Sequence, residues 1–421
     1  MDVGAAASAS DNGVNGRMHA NLAALIQRVW GPGMAEGEPV AVSTSRPPEG
    51  HQIVETYAVI PSSARPRLLL PLGSRAATVG SLRKYNAMKS PSTRARQLAL
   101  AGVFGTFAGP RIFRDRLFVS IDSRVPTDEH GRWLILPHLS AHLGGSQLHA
   151  AVTVRRNNPN VKPTLQLFSR SGAPMGYAKL GWSEATRELV RGEAAALSAV
   201  RGRLRVVDAP PLLASGEWRD TAFALVGPLP EGLRRWTTDP VRAPEATLDV
   251  AYSTGAHEAP LATSAYATRV RTQLSAMQAH APLETRILRE WLDRLIGQSE
   301  VLTFGRWHGD WVAWNLGSAG DKIAAWDWEH SADDVPVGFD VLHWHFQQTL
   351  PNSGLGAAVA EVDRVAPELV KVGVRREAGD LVASLYLLEM FQRSVRLSAG
   401  GGGWNPRLHP ELLTVAAGRN R

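Results

Sequence analysis

Apolar positions at 22, 25, 26 and 29 recur at helical spacing and predict an amphipathic helix over 18–30, which Gly31-Pro32-Gly33 ends. The polar, Pro-rich stretch 34–51 reads as a loop. Short apolar runs at 56–61, 67–71, 116–121 and 132–137 predict strands, and 74–86 and 93–103 predict helices, so 52–140 reads as a mixed α/β segment. From 148 the period changes. Strands are expected over 148–154, 164–168 and 175–180, then a helix over 186–200 and a strand over 221–226. A loop-like stretch, 238–262, separates these from a helical region expected at 262–279, 283–297, 355–371 and 376–397. That region is interrupted by a β-rich island around 300–328 and followed by a flexible break at Gly400–Gly403.

Composition narrows the class. With 44% hydrophobic and 20% charged residues in 421, the chain reads as globular and large enough for two or three compact units. It contains no cysteine, which excludes disulfides, thiolate metal sites and a cysteine nucleophile, and which fits the cytoplasm. No apolar run reaches the roughly 18 residues of a membrane span. Residues 1–17 read as a disordered tail. The net charge of +7 divides into +12 over 1–237 and −5 over 238–421. No zinc-finger spacing, RNP-type aromatic motif or dense basic run accompanies the basic half, so the motifs do not point to nucleic acid. Only six of the 46 basic residues are lysine, so each lysine at an apolar position stands out, because ammonium and guanidinium are not interchangeable at a tight phosphate site.

The informative stretch runs from Trp307 to Asp340. Asp310 and Asn315 share one short loop, and the apolar run Ile323–Trp326 delivers Asp327. Phosphoryl transfer needs a carboxylate to take the acceptor proton and hard oxygen ligands for Mg²⁺, and these residues supply both. Upstream, Lys179 lies in an expected strand and Glu193 on the helix that follows, as a phosphate-binding cation and the carboxylate that holds it would. Glu188 is a rival partner for Lys179. Taken singly, His308 reads as a structural histidine, Asp333 and Asp334 as loop residues, and the tryptophans at 307, 311, 314, 326, 328 and 344 as core packing. Trp311 and Trp314 could also offer a stacking surface to an acceptor.

Together these residues resemble the aminoglycoside phosphotransferase/choline kinase family, a branch of the protein-kinase-like fold. The family's H-G-D-x-x-x-x-N signature stands as His308, Gly309, Asp310 and Asn315. Its D-x-E-type metal motif stands as Asp327, Trp328 and Glu329, and its later G-x-D as Gly338, Phe339 and Asp340. The resemblance spans about 148–397. It implies an α+β, bilobal protein-kinase-like fold with a β-rich N-lobe over 148–229 and a mainly helical C-lobe over 230–421. An α/β segment of unassigned role, 18–147, precedes them. It further implies ATP and Mg²⁺ as cofactors and a small-molecule acceptor, a sugar or amino sugar among the candidates. By the same resemblance, Asp310 orients or deprotonates the acceptor hydroxyl, and Asn315 and Asp327 bind Mg²⁺. Lys179 touches the ATP phosphates and pairs with Glu193, His308 and Asp340 brace the catalytic loop, and the backbone from Val226 to Leu229 meets the adenine.

The expected phosphate-covering loop, 155–163, has no glycine. Asn157, Asn158 and Asn160 are the residues left to make its turns, and Lys162 to supply charge. This departure and the unassigned N-terminal third define an alternative, a catalytically weak nucleotide-binding scaffold that recruits a protein partner through 18–147. A protein kinase fits less well, because no A-P-E-type element follows Asp327.

Overall fold

A computed structural model describes residues 19–34, 37–84 and 114–419. The expected tail 1–17 and the helix expected over 93–103 lie outside the described residues. The chain opens with α1 (Ala20–Val29), whose buried face is Leu22, Leu25, Ile26 and Val29. There follow β1 (Val40–Ser43), β2 (His51–Ile60), β3 (Leu68–Pro71), α2 (Arg75–Lys84) and β4 (Arg116–Asp122). Two short helices, α3 (His130–Trp133) and α4 (Ile135–Ala141), lead into β5 (Leu148–Thr153), β6 (Thr164–Ser169), β7 (Pro174–Gly181) and α5 (Glu184–Val200). Next come β8 (Val207–Asp208), β9 (Leu212–Trp218) and β10 (Thr221–Val226).

Nine of these strands form one antiparallel sheet in the order β1-β4-β2-β3-β5-β6-β7-β10-β9. The sheet runs across residue 147 without a break, because Leu68 and Leu69 of β3 pair with Thr153 and Val152 of β5. Its apolar core is equally continuous. It joins Leu22, Ile26 and Trp30 near the start of the chain to Phe223 and Leu225 of β10.

The second half is mainly helical. It holds β11 (Arg234–Arg235), α6 (Glu245–Tyr252), β12 (His257–Pro260), α7 (Ala265–Met277), α8 (Pro282–Ile296) and β13 (Val301–Trp307). The hairpin β14 (Leu316–Ala319) and β15 (Lys322–Ala325) and the strand β16 (Ala332–Pro336) precede α9 (Phe339–Val365), α10 (Gly379–Leu397) and α11 (Glu411–Arg419). Their shared core includes Trp291, Phe304, Trp307, Phe339, Phe346, Tyr386 and Phe391.

Several elements differ from the sequence reading. The strand expected at 132–137 is instead α3 and α4. Leu134, Ile135, Leu136 and Leu139 are buried together, and Pro137 falls in the first turn of α4, where a backbone N–H is not needed. The expected loop 34–51 contains β1, and the expected loop 238–262 contains α6 and β12. Helix α9 begins at Phe339, well before the expected 355, with a break in helical geometry at Gly354 (φ 80°). Its first half is buried on nearly every face, Val341, Leu342, His343, Trp344 and Phe346 included, so it carries no amphipathic signal. The Gly400–Gly403 stretch closes α10 in a wide turn, with Gly401 (φ 83°) and Gly403 (φ 71°) in conformations that favour glycine. No helix among the described residues is long and apolar enough to cross a membrane.

One glycine fixes how β7 lies against β10. Gly176 has φ 141°, and a Cβ there would stand 2.3 Å from the Val226 carbonyl oxygen. Gly176→Ala is expected to lower stability by about 1–3 kcal/mol, through backbone strain and overpacking, measured as a lower urea midpoint with an unchanged m-value.

Candidate active site

Lys179 stands near the end of β7, opposite Ala224 of β10 and Thr164 of β6, so three paired strands fix its backbone. Helix α5 packs on this sheet and starts with a capping box between Ser183 and Thr186. Its inward face carries Leu189, Val190, Ala196 and Leu197, and Glu193 is buried with them. Lys179 Nζ donates to Glu193 Oε1 at 2.7 Å and also to Asp327 Oδ1. Glu188, the rival partner, is paired with Arg396 instead.

The β14–β15 hairpin brings the second group of residues together. Leu316 faces Ala325, and the Trp326 amide donates to the Asn315 carbonyl at 3.1 Å, so Asn315 and Asp327 leave the hairpin at the same end. Asp327 itself is left-handed (φ 65°), which turns its side chain away from the strand path and toward Lys179.

The turn that carries Asp310 is held from three sides. Gly309 has φ 81°, and a Cβ there would lie 2.2 Å from the His330 carbonyl oxygen, so no other residue fits without rearrangement. In the first turn of α9, Asp340 accepts hydrogen bonds from the His308 and Gly309 amides at 2.7 and 3.0 Å. Arg393 of α10 donates to the Gly309 carbonyl from both terminal nitrogens, at 2.9 and 3.0 Å, and lies over Trp307. His308, fully buried against Trp328, accepts the Asp310 amide on Nδ1 at 3.2 Å.

Both carboxylate oxygens of Asp310 are engaged. Asn315 Nδ2 donates to Oδ2 at 2.7 Å, and His343 Nε2 lies 3.2 Å from Oδ1. An ionised carboxylate only accepts, which places the imidazole proton on Nε2 and leaves Nδ1 to accept from the Tyr386 hydroxyl at 3.1 Å. His343, Tyr386 and Arg393 escape the sequence reading. They sit on buried helices far along the chain, and no spacing links them to Asp310.

The electrostatics follow from burial and pairing. Burial pushes the Asp310 carboxyl up, but the hydrogen bond from His343, helped by the charge of Arg393, outweighs it and holds the group below its usual range. Burial also opposes ionisation of Asp327, yet Lys179 pulls that carboxyl down to about 2. Burial would lower the Lys179 ammonium, and Asp327 and Glu193 reverse this and raise it. Glu193 is raised, first by burial and then by the negative charge of Asp327 and Glu329. Burial lowers His308 to about 4 and raises Asp340 to about 7.

Glu193, Asp327 and Glu329 each offer an oxygen within 4.8 Å of the others. Two lysines face them, because Lys162 reaches Glu329 at 2.5 Å while Lys179 serves the other two. The positive charge of Arg155 also acts on Asp327, so three carboxylates face three cations. The Asn315 amide nitrogen is spent on Asp310, so its oxygen remains as a ligand. Hard oxygens gathered in this way fit Mg²⁺. A cavity of about 190 Å³ adjoins them, walled by Tyr177, Val226, Leu229 and Trp326 with Arg155 and Lys179 at its polar side. Apolar walls beside fixed cations suit an aromatic base and its phosphates. Val226 and Leu229 therefore share one cavity with Lys179, Glu193 and Asp327. Of the two loop tryptophans, Trp311 is core, at 1% exposure, and Trp314 is open to solvent at 49%.

Lys179→Met leaves Glu193 buried without its cation and is expected to cost about 3–5 kcal/mol at pH 6–7. Asp327, held below its unfolded value by Lys179, contributes stability that is present above pH ~4 and lost as pH falls toward 2. The stability gap between wild type and variant should therefore narrow from pH 6 to pH 3 in urea unfolding. A gap that stays constant would contradict the pairing.

No family model matches the chain, and no curated protein matches it. Among solved structures, the chain is similar to the gentamicin–APH(2")-IIa complex at 11% identity and TM-score 0.39, over 70% of this chain and 96% of that one. It is similar to an amicoumacin kinase in complex with AMP-PNP, Ca²⁺ and its ligand at 12% identity and TM-score 0.35, over 64% and 86%. It is also similar to a glucosamine kinase at 17% identity and TM-score 0.31, over 95% and 97%.

Proposed function

We propose that this chain is an ATP- and Mg²⁺-dependent phosphotransferase on a bilobal protein-kinase-like scaffold, moving the γ-phosphoryl group to a hydroxyl of a small acceptor such as a sugar or amino sugar. The observation that carries the reading is the convergence of Asp310, Asn315 and Asp327 at one end of a hairpin, where Lys179 from the opposite half of the molecule bonds to Asp327 and is itself held by Glu193.

The bound metal would supply charge neutralisation for the triphosphate, held by Asp327 and the Asn315 oxygen. Lys179 would position the phosphates, and its bond to Glu193 would hold the ammonium in place with Asp327 serving as a metal ligand. Val226 and Leu229 flank the base. Asp310 receives the acceptor hydroxyl. The acceptor oxygen bonds to the γ-phosphorus, the bond to the β,γ-bridging oxygen breaks with its electron pair leaving on ADP, and the hydroxyl proton passes to Asp310. With its pKa held low, Asp310 is a weak base. That suits a loose transition state, in which the proton moves late and orientation contributes most. His343, braced by Tyr386, fixes the rotamer of Asp310. Trp314 is the exposed aromatic surface on which a sugar ring can stack.

Asp310→Ala is expected to reduce phosphate transfer to a sugar and amino-sugar panel by ~10²-fold or more while the stabilisation by ATP plus Mg²⁺ persists in thermal unfolding. Asp327→Ala should lose that stabilisation. Transfer at wild-type rate in Asp310→Ala would overturn the assignment. Nucleotide-dependent stabilisation with no transfer to any acceptor would favour the scaffold that works through a protein partner.

A further inference from the structure

The segment 155–163, between β5 and β6, borders the cavity through Arg155 and carries no regular secondary structure. Lacking glycine, it is held in place by side chains. From α1, Arg28 donates to Asn157 Oδ1 at 2.8 Å and to the Asn158 carbonyl at 3.3 Å, and its guanidinium stacks 4.2 Å over Trp182. Asn160 Nδ2 donates to the Gly402 carbonyl at 3.1 Å, tying the same loop to the helical half. Between these anchors Lys162 descends to Glu329, with only 12% and 15% of the two side chains exposed.

Two of the six lysines thus end on one carboxylate cluster, but they differ in freedom. Lys179 is fixed by strands on both sides, whereas Lys162 lies on a loop outside the ladder, tied to β7 by one backbone bond from the Leu180 amide to the Pro163 carbonyl and otherwise by side chains. Glu329 is the third oxygen donor of the cluster that fits a divalent cation. Lys162 holds Glu329 through Oε2, and a divalent cation drawn to the same carboxylate competes with the ammonium for its charge and weakens the ion pair. The released ammonium would remain beside Asp327, which does line the cavity.

We propose that Lys162 is a phosphate-binding residue held in reserve by Glu329, and that metal capture by Glu329 frees it to close onto the nucleotide. The glycine-free loop then works by moving a charge rather than by close backbone approach. This inference rests on the nucleotide site proposed above.

Calorimetric titration of ATP into the full chain tests it, once with Mg²⁺ and once with EDTA. Glu329→Gln should bind metal-free ATP about tenfold more tightly than wild type, because the lysine is no longer captured. Lys162→Ala with Glu329→Gln should abolish that gain. With Mg²⁺, Lys162→Ala should weaken ATP binding about tenfold, and Lys162→Arg should recover part of the loss. If Glu329→Gln leaves metal-free affinity unchanged, or the gain survives in the double variant, the ion pair is only structural and the inference falls while the nucleotide site stands. If wild type binds no ATP at millimolar concentration under either condition, both fall together.

Discussion

Lys179 joins the two halves of the molecule through a buried ammonium. It belongs to the nine-stranded sheet, it is held by Glu193 on the helix that packs on that sheet, and it bonds to Asp327 at the end of a hairpin in the helical half. An ammonium this deeply buried is tolerated only because carboxylates pair with it, and Glu193, buried as deeply, is tolerated only because of the ammonium. The cluster therefore sets the spacing between the halves and the width of the cavity beside it. It also gathers carboxylate oxygens of the kind a divalent cation takes.

The Asp310 turn solves a different problem, that of holding one carboxylate in one rotamer. Its backbone is fixed by Asp340 and Arg393, its φ requirement is met by Gly309, and its side chain is clamped by Asn315 and His343. The supports come from several elements, and α9 supplies two of them, Asp340 and His343, one turn apart. Burying that helix almost completely is what makes the turn rigid, since neither side chain has room to leave.

The N-terminal third takes part in the same structure. Strands β1 to β4 extend the sheet that carries Lys179, and α1 reaches over to the loop above the cavity through Arg28. A loop without glycine cannot approach phosphates closely by its backbone. It needs external anchors to present a side chain instead, and residues 21 and 28 provide them on one side while residue 402 provides another.

The sequence by itself determined the residues with local spacing. Asp310 and Asn315 share a turn, Asp327 ends the next strand, and Lys179 and Glu193 occupy consecutive elements, so short-range geometry was enough to associate them. Period and turn residues likewise determined most strands from β5 to β10 and the amphipathic helices α1, α7 and α8. What only the tertiary structure decided depends on contacts between residues far apart in the chain. That His343, Tyr386 and Arg393 serve Asp310, that 132–137 is helical, and that α9 begins at Phe339 were hidden because fully buried segments lose the apolar–polar alternation that reveals a face. The joining of the first 147 residues to the later strands was equally invisible. Strand pairing is set by backbone hydrogen bonds and a shared core, and neither leaves a signature in the order of side chains.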